Sequence, residues 1–180
     1  FPVQLYEPFT DSEGNLSSRP VTRGGQPVEC RQAAARRDGL IAKLASAGIR
    51  FGHHNHSREF FRPERGGKTL EDILIDEAPA NLMLELDLYW INHAGVDCTH
   101  ILKRCHGRVP VIHIKDKEVI QMSSDTRMAP IGEGNLPWVD IIPACEAAGV
   151  QWYGVEQDTC YRDEFDCLKS SFQFLRGFGL

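Results

Sequence analysis

Alternation restricts this chain more than any other feature of its sequence. Short apolar runs recur at Val3–Tyr6, Ile49–His53, Leu82–Leu88, Val109–Ile114 and Gln151–Val155, each bounded by Gly, Pro or charge. Runs of this kind read as strands buried on both faces. Helical spacing lies between them. Gln32–Ala47 carries Ala33, Leu40, Ile41 and Leu44, and Gly48 is a stop signal. Gly95–Cys105 is a shorter candidate. Pro137–Ala148 places Trp138, Ile141, Ile142 and Cys145 on one face, with Pro137 suited to a first turn and Gly149 to a stop. Asp163–Arg176 repeats the pattern with Phe165, Leu168, Phe172 and Leu175, and Asp163 and Glu164 suit its positive end. Strand–helix alternation predicts parallel strands joined by right-handed crossovers.

Two architectures satisfy that pattern, an open doubly wound sheet and a closed eight-stranded barrel. No G-x-G-x-x-G or Walker loop follows a strand, which weighs against the nucleotide-binding sheet. Polar residues favour the barrel. Glu7, His54–His56, Asp87, His113, Lys115 and Glu156 fall at the carboxyl ends of strand candidates, where barrel enzymes place their chemistry. A full barrel needs about 250 residues, and this chain has 180. The expectation is therefore an α/β chain of TIM-barrel type that is incomplete, about strands four to eight with their helices, forming a single domain over 1–180. The first residue is Phe, which points to a processed end or a start inside a longer protein. Pro8–Cys30 is polar and turn-rich, and reads equally as an active-site lid or as a surface excursion.

The net charge of −5 argues against a nucleic-acid phosphate surface and gives no support for an anionic membrane. No window reaches the roughly 18 apolar residues of a span, and no signal peptide opens the chain. The six cysteines form no C-x-x-C pair, and several sit at apolar helical positions. They read as reduced thiols in a cytoplasmic protein.

Asp87, His113 and Glu156 each stand in or at the end of a buried run. A buried charge costs several kcal/mol unless it is paired or bound to metal. Two carboxylates with imidazoles suit Mn2+, Zn2+, Co2+ or Fe2+ better than Ca2+. Taken singly, each residue has a plain alternative: a strand-end carboxylate as a helix cap, His113 as a hydrogen-bonded core histidine, Gly132-Glu133-Gly134 as a simple loop. The cluster Phe51-Gly52-His53-His54-Asn55-His56 is harder to read as a surface turn.

In combination these segments resemble the sugar phosphate isomerase/epimerase family, the xylose-isomerase-like barrels. Five ordered motifs carry the likeness over about residues 40–178: Gly52-His53-His54-Asn55-His56-Ser57-Arg58-Glu59-Phe60; Leu84-Glu85-Leu86-Asp87-Leu88-Tyr89-Trp90 with Ala94-Gly95-Val96-Asp97; Val111-Ile112-His113-Ile114-Lys115-Asp116; Gly132-Glu133-Gly134-Asn135-Leu136-Pro137-Trp138; and Trp152-Tyr153-Gly154-Val155-Glu156-Gln157-Asp158. The resemblance implies one divalent metal, Mn2+ first, with Zn2+, Co2+, Mg2+ or Fe2+ as alternatives. Its ligands would fall on Asp87, His113 and Glu156. Many members supply a glutamate from the strand equivalent to Ile49–His53. Here that position reads as histidine, with His54 or His56 as the fourth ligand. The family's ketose 3-epimerases use two glutamates, so this departure shifts the expectation toward one-base isomerisation, or toward elimination and hydration on a 3-keto-glycoside.

On that reading the metal polarises a sugar carbonyl, and a base removes the adjacent proton to give an enediolate. His54, His56 and Glu156 are the candidate bases. Lys115 would stabilise the oxyanion or bind a hydroxyl. Glu7, Asn55, His56, Trp90 and Lys115 are the candidate substrate contacts, and Tyr89 and Phe60 could extend an apolar wall. The expected partner is a small sugar or keto-sugar, with no nucleic acid or membrane. The chain is expected to form an oligomer or to need the missing barrel half. Two rivals remain: phosphodiester hydrolysis, disfavoured by charge, and a non-catalytic subunit that binds sugar or metal.

Overall fold

The computed structural model describes residues 6–10, 16–20, 38–62, 65–123 and 125–180. These fall into two compact units, Phe1–Phe51 and Gly52–Leu180. In the first, β1 (Tyr6–Thr10) pairs antiparallel with β2 (Leu16–Pro20), Tyr6 opposite Pro20 and Thr10 opposite Leu16. Helix α1 occupies residues 38–46.

The hairpin differs from expectation. Of the run Val3–Tyr6, only Tyr6 is described, and it opens an antiparallel strand. Of the stretch Pro8–Cys30 read as a loop, the described parts, 8–10 and 16–20, are paired strand; 11–15 and 21–30 lie outside the described residues. The composition of 11–15, Asp-Ser-Glu-Gly-Asn, is turn-forming, and that was the available hairpin signal.

The second unit carries the barrel-type sheet. Four strands, β3 (Gly52–His54), β4 (Met83–Asp87), β5 (Val111–Ile114) and β8 (Trp152–Val155), pair in parallel in that spatial order. Helices α2 (Leu70–Glu77), α3 (Leu88–His93), α4 (Cys98–Arg104), α5 (Trp138–Ala148) and α6 (Glu164–Leu175) run between and after them. A small antiparallel ribbon, β6 (Asp116–Val119) with β7 (Thr126–Ala129), leaves the end of β5. Four parallel strands where a complete barrel has eight make this an incomplete barrel, as length and strand spacing predict.

The strand period of two sorts the sheet's side chains. Leu84, Leu86, Ile112 and Ile114 point to one face and are fully buried against Ile91, Ile101, Leu102, Ile141, Ile142 and Cys145 of the helices. Burying each such side chain contributes about 1.5–3 kcal/mol. The alternate positions, His54, Glu85, Asp87 and His113, share the opposite face: His54 pairs in register with Glu85, and Asp87 with His113. The helical core therefore fixes the pitch of the strands that carry the polar residues.

Leu88 was expected to extend the fourth strand, but it begins α3. Asp87 caps that helix, its Oδ1 accepting from the Trp90 amide at 3.1 Å. Among the described cysteines, Cys98, Cys105, Cys145 and Cys167 are buried and unpaired, and Cys160 is half-buried. Burial pushes the thiols of Cys98, Cys105 and Cys145 up to about 12. Cys30 lies outside the described residues. No helix among the described residues is long and apolar enough to cross a membrane.

Candidate metal centre

The site is built around Asp87. Its side chain is fully buried, and its two oxygens do different things. Oδ1 caps α3, and Oδ2 faces the polar side of the sheet. Its backbone is held from the neighbouring strand by Asn55, whose Oδ1 accepts from the Asp87 amide at 2.9 Å and whose Nδ2 donates to the Asp87 carbonyl at 3.3 Å. Asn55 is itself fully buried. Asn55 was expected among the substrate contacts; in the structure both ends of its amide are used inside the protein, on Asp87.

His113 stands beside Asp87 in the sheet register, and His54 ends β3. His113 Nδ1 and His54 Nε2 each lie 3.9 Å from Asp87 Oδ2. The two rings are 4.8 Å apart between centroids. One donor atom from each of His54, Asp87 and His113 falls within 4.8 Å of the others. Asp87 Oδ2 and His113 Nδ1 are buried, with no well-aligned hydrogen-bond partner among the described residues. Their charged neighbours are Lys115 Nζ, 3.0 Å from Asp87 Oδ2, and Glu156 Oε2, 2.9 Å from His113 Nδ1. Two imidazoles and a buried carboxylate whose donor atoms lie within 4.8 Å of one another fit a divalent first-row metal. Gly154 of β8 makes room for them. A Cβ there would come within 3.2 Å of His113 Cδ2, so a side chain would press on the ring.

Glu156 follows β8 directly, its amide donating to the Ile114 carbonyl at 3.2 Å. Its Oε2 lies 2.9 Å from His113 Nδ1 and 2.6 Å from Lys115 Nζ. Glu156 thus borders the trio without belonging to it. Lys115 is 2% exposed, and its ammonium also reaches Asp87 Oδ2 at 3.0 Å and Asp158 Oδ1 at 3.3 Å. Burial works against the ammonium, but Glu156 and Asp87 outweigh it and raise the Lys115 pKa. Lys115 in turn lowers that of Glu156. Lys115 is therefore a fixed cation suited to stabilising negative charge, and it is poorly suited to accepting a proton.

The His54 imidazole is held below its ordinary pKa. Burial lowers its pKa first, and the neighbouring His113 adds to the effect. His56, the other candidate for the fourth ligand, is exposed, and its ring sits on Trp90, 5.0 Å between centroids. Trp90 also lies under the Lys115 ammonium at 5.9 Å. The geometry thus brings together His54, Asp87, His113, Glu156 and Lys115, with His56 and Trp90 as a flanking wall. Glu7 falls on β1 in the other unit, with its side chain outside the described residues.

Sequence reading passed over three acidic residues. Asp158 is a third partner of Lys115. Glu85 contacts His113 Nε2 at 2.6 Å, and its position two residues before Asp87 was the signal for a shared face. Asp116 is fully buried and accepts from the amides of Lys117, Gly132, Gly134 and Leu136 and from Trp138 Nε1, at 2.7–3.2 Å. It therefore shapes the Gly132–Trp138 loop. A Cβ on Gly134 would collide with the Asp116 carboxylate, which accounts for glycine there.

The comparisons with known proteins agree with this geometry. The chain is similar to a sugar phosphate isomerase/epimerase from Parabacteroides distasonis at 23% identity, covering 87% of this chain and 55% of that one, with a TM-score of 0.67. A probable 3-DHS dehydratase from Bacillus anthracis matches at 17% identity over 84% of this chain and 58% of that one, TM-score 0.62. An L-ribulose 3-epimerase matches at 17% identity over 88% and 56%, TM-score 0.56. At such identities the likeness is one of fold, and the chain spans a little over half the length of these structures. No curated protein matches the chain. The profile of one family covers residues 13–176. With a parallel sheet that carries its polar residues at the strand ends, and with that match over most of its length, the chain belongs to the xylose isomerase-like TIM barrel family.

Proposed function

We propose that this chain forms the metal-binding part of a carbohydrate isomerase or epimerase that removes a proton next to a sugar carbonyl. The observation that supports it most is the convergence of Asp87, His113 and His54 at three neighbouring strand ends, with one donor atom of each within 4.8 Å of the others. His54, Asp87, His113 and Glu156 would hold one divalent ion, Mn2+ first. When bound, that ion supplies Lewis-acid polarisation of a carbonyl. Lys115 presents a fixed positive charge to a developing oxyanion, and Trp90 with His56 forms the wall against which a sugar ring lies. His56 is exposed and stands outside the donor cluster, so it is the leading candidate for the proton acceptor, with Glu156 next. Removal of that proton gives an enediolate. Its collapse gives an isomer or epimer, or, if a leaving group stands on the next carbon as in a 3-keto-glycoside, elimination.

The similar folds include both an epimerase and a probable dehydratase, which keeps both outcomes open for this scaffold. We propose also that the chain works in a cytoplasmic protein.

The deciding experiment measures metal content and solvent deuterium uptake together. Purified protein should carry about one divalent ion per chain, and Asp87→Ala and His113→Ala should lose it. Deuterium should enter a ketose or a 3-keto-glucoside next to the carbonyl. Unchanged metal content in both variants would falsify the site. The four parallel strands favour a second reading, in which another chain or further sequence completes the barrel. Metal-free protein with intact ligands, gaining metal only when that half is added, would select it.

A further inference from the structure

Glu85 has no role in the site as described so far. It lies on β4 with its side chain on the face of Asp87. Its Oε1 is 2.6 Å from Nε2 of His113 and 3.6 Å from Nδ1 of His54. On each ring that is the nitrogen other than the one paired with Asp87 Oδ2. Toward Asp87 Oδ2, His113 presents the other nitrogen, Nδ1, and His54 presents Nε2, each at 3.9 Å. One carboxylate therefore stands behind both imidazoles, and a second stands in front of them.

A neutral imidazole carries its proton on one nitrogen and a lone pair on the other. An ionised carboxylate can only accept. Glu85 thus favours the tautomer of His113 with the proton on Nε2, and the tautomer of His54 with the proton on Nδ1. Both choices leave lone pairs on His113 Nδ1 and His54 Nε2, the atoms that face Asp87. Competition from the front is weak. Glu156 Oε2 lies 2.9 Å from His113 Nδ1, farther than Glu85 Oε1 from Nε2 at 2.6 Å, and Lys115 draws the Glu156 carboxylate to itself at 2.6 Å. The shorter of Glu85's two contacts is at hydrogen-bond distance. At the longer, 3.6 Å, Glu85 is the carboxylate facing a buried His54 Nδ1 that has no hydrogen-bond partner among the described residues.

We infer that Glu85 is a positioning residue that sets the tautomer and ring orientation of His54 and His113 together, so that both present a bare nitrogen to one cation. The inference rests on the metal site proposed above. Outer carboxylates of this kind typically change metal affinity by about 10–100-fold when removed.

The test uses two variants and two measurements. Long-range proton–nitrogen spectra of the metal-free protein at about pH 9, where free imidazole is neutral, read each tautomer directly. In the wild type the His113 proton should be on Nε2 and the His54 proton on Nδ1. In Glu85→Leu both histidines should become tautomer mixtures. Glu85→Gln, whose amide oxygen still accepts, should keep the wild-type pattern. Titration with Mn2+ should show the dissociation constant raised about 10–100-fold in Glu85→Leu and by clearly less in Glu85→Gln. A wild-type His113 protonated on Nδ1 overturns the inference, even if Glu85→Leu does not fold. Equal losses of affinity in the two variants make Glu85 a ligand and overturn it as well. A wild-type chain that takes up no Mn2+ removes the proposed metal site, while the spectra still decide the tautomer role of Glu85.

Discussion

Asn55 brackets Asp87, accepting from its amide at 2.9 Å and donating to its carbonyl at 3.3 Å across two neighbouring parallel strands. Beyond His54 the β3–β4 ladder has ended. Asn55 continues it with a side chain in place of a backbone. The main chain of Asp87 is thereby fixed at the point where a strand becomes a helix, and the direction of its Oδ2 follows from that.

Replacing Asn55 should therefore damage both stability and the site. Asn55→Leu strips partners from a buried N–H and a buried carbonyl, at about 1–3 kcal/mol each, so a loss of about 2–5 kcal/mol is expected in urea unfolding. Asn55→Asp keeps the acceptor but turns a carboxylate oxygen toward the Asp87 carbonyl. It should lose metal affinity even if most of the stability returns. Wild-type metal affinity in Asn55→Asp would show that the bracket does not aim Asp87.

Asp116 organises the neighbouring loop in a similar way. Its carboxylate receives five N–H donors, including the indole of Trp138 at 2.7 Å. Asp116→Ala leaves them without an acceptor in a buried place. The expected loss is about 4 kcal/mol or more, the range reserved for broken buried networks. Trp138 is nearly inaccessible in the native chain, so its fluorescence should shift to the red in the variant well before global unfolding. A native-like spectrum would mean that the loop holds its shape without this carboxylate.

How legible this was in the sequence depended on the kind of residue. The cores of β4, β5 and β8 were readable because each is a short apolar run bounded by Gly, Pro or charge, and Asp87, His113 and Glu156 stand in or at the end of those runs. Leu88 misled for the same reason. An apolar residue after an apolar run continues the strand unless the preceding Asp is recognised as a cap. Helix α2 was missed because Leu70–Glu77 is short and half acidic, although Thr69 and Asp72 form a capping box that could have flagged it. Asn55 read as a substrate contact because it sits among histidines, and only the strand pairing reveals that it faces Asp87. Glu85 required the same pairing, since a carboxylate two positions from a ligand means little until the register puts His113 opposite.

Acid stability should report on Asp72. Burial works to raise its carboxyl, and Arg104 and the Thr69 amide and hydroxyl outweigh it, holding the group down at about 2. A carboxyl with a lowered folded pKa stabilises the native state above its unfolded value near 3.9. That contribution fades as the pH falls through about 2. Asp72→Asn should thus lie below the wild type by on the order of 2 kcal/mol at pH 6. The two urea midpoints should converge between about pH 4 and pH 2. A gap independent of pH would assign the effect to the lost cap geometry and not to charge.

Lys115 supplies the most direct physical test of the cation site. Its ammonium is buried among Asp87, Glu156 and Asp158, at 3.0, 2.6 and 3.3 Å. Lys115→Met keeps much of the volume and removes the charge, leaving Asp87 buried with no cation beside it. Breaking a buried pair in this way costs about 3–5 kcal/mol, and the lower end is expected because Glu156 and Asp158 are partly exposed. A divalent ion held by Asp87, His113 and His54 would return positive charge to the same carboxylates. Metal should therefore raise the melting temperature of Lys115→Met by more than it raises that of the wild type, since ligand stabilisation adds to a state otherwise burdened by repulsion. Turnover should still be reduced in the metal-loaded variant, because the ammonium no longer faces the oxyanion. If metal stabilises both proteins equally, the ion is not binding where Lys115 neutralises Asp87, and the donor set has to be sought elsewhere in the chain.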